Sequence, residues 1–336
     1  MRQLLAGEEA WIVGGAVRDS LLGRFATTDV DAVCREPELA ARRYARRFGG
    51  APFALSGEHG AWRVASGEGT VDFTPLHGTI DEDLARRDFT VNAMAEPVAG
   101  GELLDPHGGR GDLQLRLIRH VSDGVFDDDP LRLLRAVRLG DRLDFSLAGE
   151  TALLIRARAH LVRRAAGERI LAELDQLSAT GWSELERAGL LQQLGGSLPD
   201  VPLDRSARQL WLVQIFGERL FEYPLSGELR RFARTMLRAE RPGDGSPRAI
   251  HRFRRATEPW SLEALSFMGA ADLREAVLSA RRRDPAGPLL RGDELGLPPG
   301  PEIGRLLELI DEERAVGTVT TREQALELVR REARPA

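Results

Sequence analysis

Apolar and polar positions follow two different periods along this chain, and the period changes near residue 120. Before that point, short apolar runs are bounded by glycine turns: "AWIVGG", "TTDVDAVC", "AWRVAS" and "GTVDFTPL". Runs of this length and patterning predict β-strands. Between them "PELAARRYARRFG" repeats its apolar residues at helical spacing. From Asp127 onward the pattern is almost wholly helical, in "DPLRLLRAVRLGDRL", "ETALLIRARAHLVRRA", "GERILAELDQL" and "WSELERAGLLQQL". "ERPGDGSPRAI" reads as a loop, and "DPAGPLLRGDELGLPPGPE" as a turn-rich connection into a last helical unit. The 336 residues suggest about two or three domains: a mixed α/β domain first, then a helical arm.

Within "FDDDPLRLLRAVRL" the pattern predicts a helix with Asp128 or Asp129 as N-cap and Pro130 at its first position. Arg132, Arg135 and Arg138 then share one arc, roughly opposite Leu133, Ala136, Val137 and Gly140. Taken alone, this fits a capped amphipathic helix with a solvated polar face. In "WIVGGAVRDSLLGR" a strand ends in Gly14-Gly15 and a helix begins at once, with Arg18 in its first turns. Glycine lets backbone N–H groups approach a phosphate, and Arg18 adds a fork; a plain strand-to-helix turn is the other reading. Asp29 and Asp31 lie two apart on a predicted strand and so project from one face, as a hard cation with phosphate ligands requires. Asp72 in "TVDFTP" is either a third carboxylate, assisting deprotonation, or an ordinary strand-end aspartate. "DEDLARRDFTVNAMAEP" is predicted to set Arg86, Arg87, Asp88 and Asn92 around an apolar helix.

Composition narrows this picture at a few points. Lysine is absent, so any side-chain contact to phosphate falls to arginine or histidine. A net charge of −5 excludes a uniformly basic nucleic-acid coat. One cysteine, Cys34, excludes an internal disulfide framework and fits a reducing cytoplasm. No apolar run is long enough to span a membrane, and "MRQLLAGEEAW" has no signal-peptide pattern. None of the six histidines has an adjacent aspartate suggesting a phosphohydrolase site.

In order, "GGAVRDSLLGR", "DVD", "DLARRDFTVNAMA", "LLDPHGGRGDL" and "DDDPLRLLRAVRL" resemble the class II tRNA nucleotidyltransferase and bacterial poly(A) polymerase family. The match is dense from about Trp11 to Arg142 and continues more weakly through "GERILAEL". The resemblance implies an α+β fold: a nucleotidyltransferase head of mixed sheet and helices, then an all-helical neck, body and tail. The expected boundaries are 1–122 for the catalytic head, 123–180 for a neck carrying the base-recognition helix, and 181–336 for body and tail.

It also implies roles. Asp29 and Asp31 would hold a catalytic Mg²⁺, with Asp72 as the further catalytic carboxylate. Gly14, Gly15, Arg18, Arg87, Asn92, Asp129, Arg132, Arg135 and Arg138 would bind the nucleotide. Where the family has Glu-Asp before the helix, this chain has Asp128-Asp129. An ionised Asp129 accepts and Arg132 donates, a pairing edge that suits cytosine and adenine and refuses uracil.

The implied activity is untemplated addition of CMP, and of AMP, to the 3′ end of tRNA from CTP and ATP. No obligatory protein partner is implied. A poly(A) polymerase of the same family is the alternative, but "TTREQALELVRREARPA" is not the basic extension those enzymes carry. A catalytically idle RNA-binding relative is opposed by the retained Asp29 and Asp31. Only "PLHGTIDED" separates Thr74 from Leu84, where CCA-adding members carry a flexible loop. That implies C addition with slow or absent A addition.

Overall fold

The computed structural model describes residues 9–24, 29–56, 60–67, 69–200, 208–284 and 287–333. The opening residues read above for a leader, Thr27 and Thr28 before the Asp pair, and His59 lie outside them. By its internal contacts the chain divides into two compact units, Met1–Leu198 and Pro199–Ala336.

A six-stranded sheet dominates the start of the first unit. In chain order its strands are β1 (Ala10–Val13), β2 (Asp29–Cys34), β3 (Ala51–Ser56), β4 (Ala61–Ser66), β5 (Gly69–Pro75) and β6 (Ala95–Pro97). They lie in the order β3-β4-β5-β2-β1-β6, with β2 and β5 parallel and the other pairs antiparallel. Helices α1 (Gly15–Leu21), α2 (Pro37–Phe48), α3 (Ile80–Ala85) and α4 (Gly109–Leu115) accompany them. Alternation sorts β2 onto two faces. Ala32 and Cys34 pack with Ala40 and Ala41 of α2 and Phe73 of β5, whereas Val33 packs with Val13, Leu76 and Leu84. Asp29 and Asp31 share the Val33 face, where the strand end runs past the packed core and both are exposed.

The unit continues through α5 (Val125–Asp128), α6 (Arg132–Leu143), α7 (Gly149–Arg158), α8 (Gly167–Leu174), α9 (Ala179–Arg187) and α10 (Leu190–Gln193), with the short β7 (Leu117–Ile118) and β8 (Ser146–Leu147) paired in parallel. Helix α6 buries Leu133, Ala136, Val137 and Gly140 as its period requires. Its start differs from expectation. Asp128 closes α5, Asp129 is extended, and the α6 helix begins only at Arg132. Here the Asp129 Oδ1 accepts from the Leu131 N–H at 3.1 Å, so the acidic side chain shapes a turn before the helix instead of capping it.

The segment around "RRDFTVN" also departs from the predicted single helix. α3 stops at Ala85, Asp88 accepts the Phe89 N–H at 2.8 Å, and only Thr90–Asn92 forms a further helical turn. An Asp side chain that bonds its neighbour's amide competes with helix continuation. Strands β3 and β6 were not read from the sequence, because their short runs carry no clean alternation.

The second unit is helical: α11 (Arg208–Phe216), α12 (Gly227–Arg238), α13 (Pro247–Thr257), α14 (Ser261–Phe267), α15 (Arg274–Arg282), α16 (Pro301–Val316) and α17 (Arg322–Glu332). Ser226, Ser246 and Thr321 cap α12, α13 and α17 through their hydroxyls. Leu306 and Ile310 of α16 and Ala325, Leu328 and Val329 of α17 close one core. Among the described residues no helix is long and apolar enough to cross a membrane.

Candidate active site

A polar cleft of about 340 Å³ lies in the first unit, lined by Gly14, Gly15, Arg18, Asp31, Arg87, Asp88, Asn92, Asp129, Arg132, Arg135, Arg138 and Arg142, among others. It gathers residues from both ends of the motif region, more than a hundred positions apart. Of the sequence-predicted site residues, only Asp29 and Asp72 do not line it.

The turn between β1 and α1 is shaped by Gly14, whose φ is +71°. A Cβ there would be strained and would stand 3.3 Å from both Arg87 Nη1 and Asp31 Oδ2. Glycine thus leaves room where a carboxylate, a guanidinium and a backbone turn converge. α1 has only seven residues, so the cradle rests on Arg18 and local geometry more than on a helix dipole.

Arg18 is buried and fixed from two sides: its Nε donates to Asp19 at 2.8 Å and its Nη1 to Asn92 Oδ1 at 2.7 Å. Asn92 Nδ2 donates in turn to Asp88 Oδ1 at 3.1 Å, and Asp88 Oδ2 takes Arg135 Nη2 at 2.7 Å. A chain of polar contacts therefore ties α1 to α6. Such a network is rigid when satisfied, and it holds two arginines at fixed places. Among the described residues the Arg135 Nε is buried without a hydrogen-bond partner, a donor that a ligand oxygen in the cleft would satisfy.

On α6, Arg132 Nη2 donates to the Arg86 carbonyl at 2.8 Å, and Arg138 pairs with Glu173 of α8. The arginine arc is therefore not a solvated face. Asp129 and Arg132 both line the cleft, but Asp129 Oδ2 is bonded at 3.0 Å to Arg169 of α8 and not to Arg132. Burial pushes the Asp129 carboxyl upward, yet Arg169 and the Leu131 N–H outweigh it and hold it below its ordinary value. Among the described residues each oxygen has one protein donor and keeps a lone pair open to the cleft.

Asp31 lies in register between Val13 on β1 and Asp72 on β5. Its carboxyl is open to the cleft but crowded by protein, and that desolvation raises its pKa; Arg87 opposes the shift and Asp72 adds to it. Asp29 accepts the Thr70 hydroxyl at 2.6 Å. Asp72 is gripped by Arg63, at 2.6 Å from Nε and 2.7 Å from Nη2. Cys34 is no nucleophile: burial pushes its thiol up to about 11.

Asp88, Arg169, Glu173 and Arg63 contact the predicted site residues, and no local sequence pattern singles them out for it. Asp88 has only its position beside Arg87, within a quoted motif, as a signal. The other three gain their partners through packing or strand register, which no local pattern shows.

Comparison with known proteins places the chain in a family. Residues 58–119 match the family described as the poly A polymerase head domain. The CC-adding tRNA nucleotidyltransferase of Geobacter sulfurreducens is 33% identical over 95% of this chain and 91% of that protein. The A-adding tRNA nucleotidyltransferase of Deinococcus radiodurans is 32% identical over 96% and 95%. The chain belongs to the tRNA nucleotidyltransferase family. The family fold is shared as well: a CCA-adding enzyme solved with CTP superposes with a TM-score of 0.76 at 22% identity, over 99% of this chain and 95% of that one. The α+β architecture expected from the sequence is therefore the observed one.

Proposed function

We propose that this nucleotidyltransferase adds CMP to the 3′ end of tRNA without a template, using CTP and Mg²⁺, and that it is weak or inactive in adding the terminal A. The observation that carries the reading is one cleft that joins the Gly14 turn, Arg18, Arg87 and Asp31 to Asp129 and the α6 arginines. A triphosphate needs several cations and backbone donors, and a base needs a fixed edge of donors and acceptors. This cleft offers both.

Among the described residues no cluster of three metal-ligating side chains is present. Two exposed carboxylates on one strand face are nevertheless the donor set that suits Mg²⁺ shared with substrate phosphates, so Asp29 and Asp31 would hold it. When bound there, the ion would activate the attacking hydroxyl and stabilise charge at phosphorus. Arg18 and Arg87 would orient the triphosphate, and Arg135 Nε would find its missing acceptor on it. Asp129, kept ionised, would take the exocyclic amine of the base, while Arg132, anchored to the Arg86 carbonyl, would donate to a ring acceptor. Uracil, with a carbonyl where cytosine has its amine, would set two acceptors against each other.

The preference for C rests on the connection between β5 and α3. Only four residues, 76–79, lie between the two elements, and Leu76 is buried with its N–H bonded to the Cys34 carbonyl at 2.8 Å. That leaves no slack for the flexible loop of CCA-adding members. A cytoplasmic setting belongs to the same proposal.

The test is incubation with tRNA lacking its 3′ end and labelled CTP or ATP, followed by sizing of the products. Extension by two C residues is expected. Asp31→Ala should lower the rate by several orders of magnitude, because the metal site supplies several kcal/mol at the transition state. Near-normal turnover in that variant would refute the assignment.

A further inference from the structure

One row of residues runs across the sheet and past the edge of the cleft. Arg63 on β4 faces Asp72 on β5, Asp72 faces Asp31 on β2, and Asp31 faces Val13 on β1. The cleft takes in Gly14, Arg18, Asp31 and Arg87 but neither Asp72 nor Arg63. The nucleotide cradle thus lies on the β1 flank of Asp31, and the Asp72–Arg63 pair lies on the β4 flank.

In-line displacement at phosphorus needs the attacking oxygen and the leaving pyrophosphate on opposite sides. With the triphosphate on the β1 flank, the β5–β4 flank is left for the attacking 3′-hydroxyl. That flank presents Asp29, Asp31 and Asp72 to an RNA end that brings its own negative phosphodiester. Arg63 is the cation placed to answer it. Its Nε and Nη2 grip both oxygens of Asp72, its Nη1 makes no hydrogen bond among the described residues, and its side chain is 37% exposed. A guanidinium locked along one edge presents its other edge at little further entropic cost, in the geometry that suits phosphate.

We propose that Arg63 forms an acceptor-side subsite that binds the 3′-terminal phosphodiester of the RNA. Asp72 then acts first as the residue that orients Arg63, since both of its oxygens are committed to that fork. The inference rests on the reading of tRNA 3′ ends as the substrate.

The experiment uses the full chain as wild type, Arg63→Gln and Arg63→Lys. It measures KM for CTP, KM for tRNA lacking its 3′ end, and equilibrium binding of that tRNA without divalent metal. In Arg63→Gln, KM and Kd for the tRNA should rise on the order of tenfold while KM for CTP stays within about twofold. Arg63→Lys, which keeps the charge but not the fork, should fall between. A tRNA whose 3′-terminal phosphodiester is replaced by a neutral methylphosphonate should cost wild type about the same tenfold and cost Arg63→Gln nothing more. If the methylphosphonate penalises both proteins equally, or if Arg63→Gln raises KM for both substrates together, the subsite is wrong and Arg63 merely supports the sheet. Wild-type protein that adds nothing to the unmodified tRNA overturns the tRNA reading itself, and the Arg63 assignment with it.

Discussion

Asp129 shows how much a single side chain's role depends on its neighbours. Its pKa is lowered, so the carboxylate is present above the ordinary value of 3.8 and is lost only as pH falls through a still lower folded value. Preference for CTP over UTP is therefore expected to stay flat between about pH 5 and pH 8. Without Arg169 the upward push of burial is opposed only by the Leu131 N–H and the nearby Arg132. Arg169→Gln should accordingly raise the Asp129 pKa, keeping the preference at pH 8 and losing it at a higher pH than the wild type does. Asp129→Ala should erode it at every pH, by an amount on the order of 1–3 kcal/mol, with smaller effect on triphosphate binding. Competition assays with CTP and UTP across that range would check all three. A pH-independent Arg169→Gln variant would show that the ion pair does not set the ionisation of Asp129.

Among the secondary elements, the β5–α3 connection has the sharpest functional consequence. Gly78 has φ +74°, Thr79 accepts the Glu82 N–H, and Glu82 reaches back to the Thr79 N–H at 2.7 Å. A capping box directly after a buried leucine makes this a rigid turn. Taking the larger A in place of C would need the base pocket to widen, and a turn pinned at both ends gives no lever for that. Single-turnover AMP addition to a tRNA ending in CC should thus be slow or absent beside CMP addition to one lacking both C residues. Comparable rates would show that this head completes CCA unaided.

Across the whole molecule, arginines fall into two populations that look alike in sequence. On α13, Arg248 and Arg252 pair with Glu312, Arg254 with Asp284 and Arg255 with Glu308. On α12, Arg231, Arg234 and Arg238 are exposed at helical spacing, and none is in an ion pair or hydrogen bond among the described residues. Free cations on one face are available to RNA phosphates, whereas those of α13 already have counter-charges. The triple variant Arg231→Gln, Arg234→Gln, Arg238→Gln should weaken tRNA binding and flatten its log–log salt dependence by about two, leaving KM for CTP unchanged. Arg252→Gln and Arg255→Gln should instead cost about 0–1 kcal/mol of stability, as exposed pairs do, with little effect on the salt slope. Filter binding over a salt series and thermal melts would separate the two helices. An unchanged slope in the α12 variant would exclude that face from the RNA contact.

The sequence by itself determined the class of fold, the strand carrying Asp29 and Asp31, the glycine turn beside Arg18, and the arc that sets Arg132, Arg135 and Arg138 opposite an apolar stripe. These follow from periods of 2 and 3.6 residues and from glycine's freedom at φ +71°, all local properties. Even the shortness of the β5–α3 connection could be counted from the letters. Tertiary structure alone decided the rest. Arg169 reaches Asp129 from 40 positions away because α8 packs against α6. Asp88 became the hub between Arg18 and Arg135 because it lies where a helix fails to continue. Arg63 meets Asp72 because β4 and β5 pair in one register, and a shift of one residue would have turned the two side chains to opposite faces. Periodicity fixes which face a residue takes, but the partner on that face is fixed by how distant segments pair and pack.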